Sequence, residues 1–90
     1  MYDRLPKEER IERGRVAQGL LDEECFANAV REIRASIWRV WQRSKPVERE
    51  LRERLYQQQQ ALELIVTLLT RHVNDGRIAA ETAKRSAKTE

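Results

Sequence analysis

Cys25 and His72 are the only cysteine and the only histidine in this 90-residue chain. Nucleophilic catalysis needs a nucleophile, a base and an orienting group that converge, and a structural zinc site needs four ligands. One cysteine and one histidine cannot complete either arrangement, and the sequence has no glycine-rich phosphate loop or paired-carboxylate pattern. We therefore expect a protein that is not an enzyme, with no catalytic residue, metal ligand or cofactor.

Both residues have a simpler structural interpretation. Cys25 falls in the first turn of a predicted helix, where Glu23 and Glu24 oppose formation of the reactive thiolate. His72 falls near the end of another helix, where the negative pole of the helix dipole favours a histidine. A lone thiol also suits a reducing compartment.

The elements that carry these residues are predicted to be helices only. Three glycines and two prolines occur in the chain, and no segment shows the period-two alternation of a strand. We predict an all-α fold with one domain over residues 1–76. Its helices are expected at about 6–20, 22–44 and 46–74, followed by an Ala/Lys/Arg-rich tail at 77–90.

The first helix is expected to be peripheral and partly frayed. Pro6 suits a first helical turn, but Gly14 and Gly19 each weaken a helix by roughly 1 kcal/mol relative to alanine. The helix also offers few apolar residues.

The second helix has a clear start and an amphipathic pattern. Asp22 is a good N-cap, and Lys45 before Pro46 favours an end near Ser44. The apolar stripe follows helical spacing and consists of Phe26, Val30, Ile33, Ile37, Val40 and Trp41.

The third helix is predicted to begin at Pro46 and to end at Asn74-Asp75-Gly76, with Gly76 in a left-handed conformation. Its stripe consists of Val47, Leu51, Leu55, Leu62, Ile65, Leu69 and Val73. The short connection before it makes helices two and three a long antiparallel hairpin. Gln58 falls on the stripe, either at a partly open seam or paired across an interface that sets register. The tail has little to bury and is expected to be frayed, or ordered only against a partner.

Two groups of residues are candidates for a partner interface. Trp38 lies at the edge of the second stripe beside Arg31 and Arg34, either as a binding anchor or as an indole packed over the first helix. On the third helix, Ala61, Leu64 and Leu68 lie outside the stripe and widen its apolar surface. One neighbouring helix cannot cover that arc, and the first helix, which could cover it, has few apolar residues to offer. We therefore expect a second chain or a larger assembly.

Charge and hydropathy bear on other partners. The net charge is +3, but fifteen acidic residues are interleaved with the basic ones, whereas a DNA footprint has one sign. Nucleic acid is therefore a possible partner that the pattern does not favour. The longest apolar stretch, near 64–69, is too short to span a bilayer, and residues 1–6 lack the apolar run of a signal peptide.

The chain resembles a group of small bacteriophage and prophage proteins. The resemblance rests on Leu20-Leu21-Asp22-Glu23-Glu24, Phe26, Ala29, Trp38, Trp41, Leu51, Leu62 and the segment Val73-Asn74-Asp75-Gly76-Arg77-Ile78-Ala79. Members of the group are often encoded among virion-assembly genes, so the resemblance implies a virion component or assembly factor. It implies no catalytic residue. The second tryptophan and the longer basic tail depart from the pattern and put in doubt whether the same surface is used.

The sequence therefore predicts a phage-type structural or virion-assembly protein. It would act through contacts with itself or other virion proteins, in a virion or in the bacterial host cytoplasm. One alternative is a small inhibitor or adaptor that binds a host protein. Another is a basic accessory protein that contacts nucleic acid through its arginines.

Overall fold

A computed structural model of the protein describes residues 5–89, with side chains through residue 87. Within that range the chain forms three helices and no strand: α1 at Lys7–Asp22, α2 at Glu24–Arg43 and α3 at Arg49–Thr89. This confirms the predicted all-α class. The ends of the predicted domain and tail, residues 1–4 and 90, lie outside the described residues. The molecule measures 65 × 28 × 16 Å, because a 41-residue helix alone is about 60 Å long.

α1 and α2 follow one another along α3, and both run antiparallel to it. In α1, Arg10 pairs with Asp75 of α3, and Leu20 lines one groove with Leu69 of α3. In α2, Arg34 pairs with Glu63 of α3. As the first arm advances, its contacts therefore move towards the start of α3. The protein is a two-armed hairpin whose first arm is broken at a single residue, Glu23.

α1 packs more closely against α3 than α2 does, because small residues line the contact. Gly14 and Gly76 face each other, and a Cβ built on Gly14 would lie 3.0 Å from the Gly76 Cα and 2.8 Å from the His72 carbonyl oxygen. Ala17 is also buried, and Ala79 is completely buried. The first helix is therefore an integral part of the fold, and the prediction that it would be peripheral is wrong.

An ion pair stands beside this glycine contact. The Arg10 guanidinium donates to both carboxylate oxygens of Asp75, at 3.0 Å from Nε and 2.7 Å from Nη2. This bidentate geometry is the strong form of an arginine–carboxylate interaction. Its hydrogen bonds to Arg10 hold the pKa of the Asp75 carboxyl below its ordinary value.

The face of α3 that meets the first arm has a heptad spacing. Buried and half-buried positions alternate at steps of four and three: Leu55, Gln59, Leu62, Val66, Leu69, Val73 and Gly76. An average spacing of 3.5 residues is typical of a left-handed coiled coil. The predicted stripe was wrong at three positions. Gln59 rather than Gln58, and Val66 rather than Ile65, occupies the seam, and Val47 lies before α3 and is 80% exposed.

The start of α2 differs from the prediction by two residues. Asp22 is the last residue of α1, and its side chain accepts a hydrogen bond from Gln18. Glu23 has extended backbone angles and is the actual N-cap, with its carboxylate accepting the backbone N–H groups of Cys25 at 3.1 Å and Phe26 at 2.7 Å. A glutamate can therefore serve as the cap when the preceding aspartate remains helical.

The hairpin tip is also longer than predicted. Pro46 lies in a turn and not in the first turn of α3. The Glu48 backbone N–H donates to the Lys45 carbonyl at 2.8 Å, and the Glu48 carboxylate accepts the Lys45 backbone N–H at 2.7 Å. This reciprocal pair closes the turn and delays the start of α3 to Arg49.

The predicted helix stop at Asn74-Asp75-Gly76 and the frayed tail are both wrong. α3 continues through Gly76 to Thr89, and no described glycine has positive φ. Gly76 is present because α1 approaches it too closely for a side chain. Beyond it, buried Ala79 and half-buried Ala83 extend the seam, so the tail packs against the fold as far as Ala83, and residues 84–87 continue the helix with exposed side chains.

Alanine substitutions should separate the packing role of glycine from its helix propensity. Gly14→Ala places a methyl group against backbone, and overpacking costs about 1–3 kcal/mol, against about 1 kcal/mol gained in helix propensity. We expect a net loss of up to about 2 kcal/mol in the free energy of unfolding, measured by urea titration and circular dichroism. Gly76→Ala should behave in the same way.

Gly19→Ala is the matched control, because nothing lies within 4 Å of a Cβ at that position. It should be neutral or stabilise the protein by up to about 1 kcal/mol. An equal response of all three variants would contradict a packing role for Gly14 and Gly76.

The Arg10–Asp75 pair should make stability depend on pH. The pKa of Asp75 is lower in the folded state than in the unfolded state. The ionised carboxylate therefore stabilises the fold fully at pH values above its unfolded-state pKa, and this stabilisation is lost as the pH falls through its folded-state pKa. We expect Asp75→Asn to cost about 1 kcal/mol near neutral pH, and this difference from the native protein to vanish in acid. Glu12→Gln is the control: it breaks the exposed Arg15–Glu12 pair and should change stability little. If the stability difference between Asp75→Asn and the native protein did not vary with pH, it would contradict a stabilising role for the ionised Asp75 side chain.

Candidate functional site

The candidate interface residues of α3 lie away from the seam. At about 100° per residue, Ala61 and Leu68 lie towards one side of the seam, Tyr56 and Glu63 lie on the other side, and Leu64 lies opposite the seam on the outer side of α3. All three predicted residues are exposed, with Leu64 retaining 67% of its full exposure. α1 therefore leaves this part of α3 uncovered.

The candidate residues of α2 lie on the opposite flank. Trp38 and Arg34 face the same side as Tyr56 and Glu63, because antiparallel helices bring matching flanks together. The structure thus separates the two predicted groups. The hairpin has two distinct exposed surfaces, one on each side of its seam.

The first surface, here called the Trp38 cleft, is a concave site of about 310 Å³ between α2 and α3. Its lining residues are Arg34, Ile37, Trp38, Trp41, Leu55, Tyr56 and Gln59. Trp38 is 58% exposed and Tyr56 is 57% exposed. Two partly open aromatic rings beside a guanidinium form a shape that can accept an apolar or aromatic side chain.

Arg34 is held in place at the wall of the cleft. Its Nε and Nη2 atoms donate to the two carboxylate oxygens of Glu63, each at 2.7 Å, and Gln59 donates to the same carboxylate at 2.8 Å. The hydrogen bonds from Arg34 lower the pKa of Glu63, and the same bonds raise the pKa of Arg34. The pair fixes the guanidinium in one orientation and neutralises its charge locally.

Trp41 forms the inner wall of the cleft. The Arg52 guanidinium lies over its ring, 4.9 Å from the centroid, and also donates to the side chain and the carbonyl of Ser44, at 2.8 and 3.0 Å. This cation–π contact ties the end of α2 to the start of α3. Trp41 is thus occupied by the fold, while the ring of Trp38 remains open.

Arg31 and α1 take no part in the cleft. Arg31 is exposed and hydrogen-bonds the Asn28 side chain one turn earlier. α1 lies against the C-terminal part of α3, at the other end of the hairpin from Trp38. The interpretation that Trp38 packs over the first helix is therefore wrong.

The second surface, here called the aliphatic face, extends the Ala61–Leu68 flank across all three helices. It consists of the exposed residues Val16, Leu20, Ile33, Val40, Ala61, Ile65 and Leu68, and Leu64 borders it on the outer side of α3. Val16 and Leu20 line the same groove as Leu69, which connects the α1 part with α3, and the charged residues Glu8, Glu9, Glu12 and Arg13 line this groove as well. The face is continuous, because antiparallel packing places the corresponding flanks of all three helices on one side.

Several residues of both surfaces were missed from the sequence. Ile33 and Ile65 were assigned to the core stripes but are 46% and 53% exposed. The four-and-three spacing through Gln59 and Val66 is a signal that would have moved Ile65 to the flank. Tyr56 and Glu63 carried no local signal, since only the pairing of α2 with α3 brings them to Trp38.

Neither chemically reactive residue belongs to a constellation of catalytic groups. Cys25 is exposed in the first turn of α2, and His72 is half-buried in the groove beside Leu69. Among residues 5–89, no three histidine, cysteine or acidic side chains are placed to hold a metal ion. Within the same range, the helices lack the combination of length and apolar character needed to cross a membrane.

Comparison with protein-family models, curated proteins and solved structures finds no match to this chain. The class that can be stated is therefore structural: an all-α antiparallel helical hairpin with a broken first arm.

Single-tryptophan variants should distinguish the two indoles. Trp41→Phe leaves only Trp38, and Trp38→Phe leaves only Trp41, which is 36% exposed and stacked under Arg52. We expect Trp38 to emit at longer wavelength and to show the steeper acrylamide quenching slope. Equal slopes at unchanged helix content would contradict an open Trp38.

Proposed function

We propose that the protein is a non-enzymatic structural or assembly protein, of the kind found in bacteriophage virions, that joins protein surfaces. The observation that carries this proposal is the presence of two exposed apolar surfaces on opposite flanks of one 65 Å hairpin. A protein with one such surface can only be a binder or a simple dimer. Two surfaces on opposite sides allow one chain to contact two neighbours at once.

The composition of the surfaces supports protein partners. Tryptophan and arginine are enriched among residues that dominate binding energy, and the Trp38 cleft presents both, with Arg34 already oriented by Glu63. Exposed apolar patches of this extent mark contact sites in soluble proteins. A pre-oriented side chain also loses less entropy when a partner binds.

The charge distribution favours proteins over nucleic acid. Arg10, Arg15 and Arg34 are all engaged in ion pairs with carboxylates of the same chain. Phosphate recognition depends on clustered basic groups of one sign. Arg10 and Arg34 join α3 to the first arm, and Arg15 is paired within its own helix turn. This leaves the aromatic and aliphatic surfaces as the better binding features.

The phage context of the proposal rests on the resemblance carried by residues 20–24 and 73–79. Under this proposal the protein would act in particles or in the host cytoplasm during assembly. A small inhibitor or adaptor of a host protein would present the same cleft. The location of the protein distinguishes the two roles.

Mass spectrometry of purified particles is the test. We expect the chain to be present in particles purified from cells that express it at its natural locus. Trp38→Ala should lower its incorporation at least about tenfold, because a tryptophan hot spot contributes about 2 kcal/mol or more. Val47→Ala is the control, since Val47 is 80% exposed at the hairpin tip and outside both surfaces.

Two results would count against this proposal. Absence of the native chain from particles would overturn the virion role and favour an inhibitor or adaptor. Equal incorporation of the Trp38 and Val47 variants, at matched expression and helix content, would remove the Trp38 cleft as the docking site.

A further inference from the structure

We propose that the Trp38 cleft binds an acidic segment of a partner protein, in which an aromatic or large aliphatic side chain lies between aspartate or glutamate residues. The inference rests on the proposed function, because it gives the chemistry of the partner that docks at this cleft. The apolar side chain would enter the cleft, and the acidic residues beside it would meet arginines at the two ends of the cleft.

The walls of the cleft suit an inserted apolar side chain. The rings of Trp38 and Tyr56, both more than half exposed, belong to different helices and form its two sides. Buried Leu55 and half-buried Ile37 lie deeper, at the seam. Aromatic rings pack well with a further ring at an edge or an offset face, so a phenylalanine or leucine of a partner can fill the space between them.

Arg52 gives one end of the cleft a positive charge. Its guanidinium lies over the ring of Trp41, 4.9 Å from the centroid, and donates to the hydroxyl and the carbonyl oxygen of Ser44. These three contacts are with neutral groups, so they leave the charge of the guanidinium in place. The hydrogen bonds use Nε and Nη2, and a guanidinium has five N–H groups, so Arg52 can also donate to a carboxylate.

Arg31 gives the other end of the flank the same sign. It precedes Trp38 by two helical turns, which places it about 10 Å away along the axis of α2 and within about 20° of Trp38 around it. Arg31 is exposed, and its guanidinium donates to the side-chain oxygen of Asn28, which is also neutral. Arg31 does not line the cleft, but it lies within reach of a segment that extends from it.

Glu63, beside the cleft, is already paired. Its two carboxylate oxygens accept hydrogen bonds from Arg34, and one of them also accepts a hydrogen bond from Gln59. The charge of Glu63 is therefore balanced by Arg34 and is not directed at Arg31 or Arg52. An apolar cleft with positive charge at both ends is complementary to an apolar side chain with acidic neighbours.

The positions of the arginines set the spacing of the partner's residues. An extended chain advances about 3.3 Å per residue, so the distance from Trp38 to Arg31 corresponds to about three residues. Arg52 lies over Trp41, one helical turn after Trp38, and corresponds to one or two residues on the other side. Guanidinium groups and indole N–H groups can only donate hydrogen bonds, which suits the acceptor oxygens of carboxylates.

This arrangement favours a protein segment over nucleic acid. A nucleic-acid strand carries a phosphate at every nucleotide and is bound by basic groups that follow the backbone. Arg31 and Arg52 lie apart at the two ends of one apolar cleft, and the arginine between them, Arg34, is already neutralised by Glu63. Two separate charges around one apolar site suit two acidic side chains around one apolar anchor.

The test is an NMR titration of the isotope-labelled full-length chain with capped peptides, followed at the indole N–H signals of Trp38 and Trp41. The acidic probe is Asp-Asp-Asp-Phe-Asp-Asp-Asp, the basic probe has lysine for each aspartate, and the third probe has alanine for phenylalanine. We expect the acidic probe to shift the Trp38 signal and to bind at least about tenfold more tightly than either of the others. Added salt should weaken its binding.

Variants identify the residues responsible. Trp38→Ala should abolish binding of the acidic probe, and Arg31→Gln should weaken it about threefold, as expected for one exposed charge pair. Arg43→Gln is the matched control, because Arg43 is also an exposed arginine of α2 but projects about 140° away from Trp38 around the helix. It should leave the affinity unchanged. Circular dichroism checks the helix content of each variant, and the comparison of probes on the native chain does not depend on any of them.

Several results would overturn the inference. These are equal or tighter binding of the basic probe, binding of the acidic probe that survives Trp38→Ala, and no shift of the Trp38 signal at millimolar acidic probe. A single-stranded oligothymidine that shifted this signal at lower concentration than the acidic probe would assign the flank to nucleic acid instead. If the acidic probe failed and Trp38→Ala still lowered incorporation into particles, the proposed function would stand and only the chemistry of the partner would be wrong.

Discussion

Gly14 and Gly76 bring the backbones of α1 and α3 together without an intervening side chain, and the rest of the hairpin depends on that contact. A Cβ on either glycine would lie about 3 Å from backbone atoms of the other helix. Backbone cannot rotate away from a clash as a flexible side chain can, so even a methyl group forces the helices apart. The Arg10–Asp75 pair beside the glycines adds two directional hydrogen bonds between α1 and α3 to a contact that would otherwise consist of packing alone.

This contact divides the seam into a tight part and a wide part. Glycine and alanine join α1 to α3, while Phe26, Val30 and Ile37 separate α2 from α3. The break at Glu23 lets the first arm change from one spacing to the other. A two-helix seam of this kind covers only one side of each helix. Apolar residues on the flanks therefore remain at the surface, and they provide the surfaces on which function is proposed.

The two flanks have different physical characters and suit different partners. The Trp38 cleft combines aromatic rings with an arginine oriented by Glu63, an arrangement suited to a specific side chain of another protein. The aliphatic face is apolar along α2 and the facing part of α3, and charged side chains of α1 line its groove beside Leu69. Placed on opposite sides, the two would let one hairpin contact two neighbours at once.

The sequence by itself determined the all-α class, the hairpin and the two groups of exposed apolar residues, because helical periodicity and the break near Pro46 are local signals. It also placed Trp38 and Leu64 outside the core stripes. The role of Gly76 could not be read in this way, since a glycine that ends a helix and one that permits a close crossing look the same in sequence. Only the tertiary structure decided that Gly76 meets Gly14, that the helix continues to Thr89, and that Tyr56 and Glu63 join Trp38. Each depends on which residues of distant helices lie opposite one another, and local sequence does not encode that register.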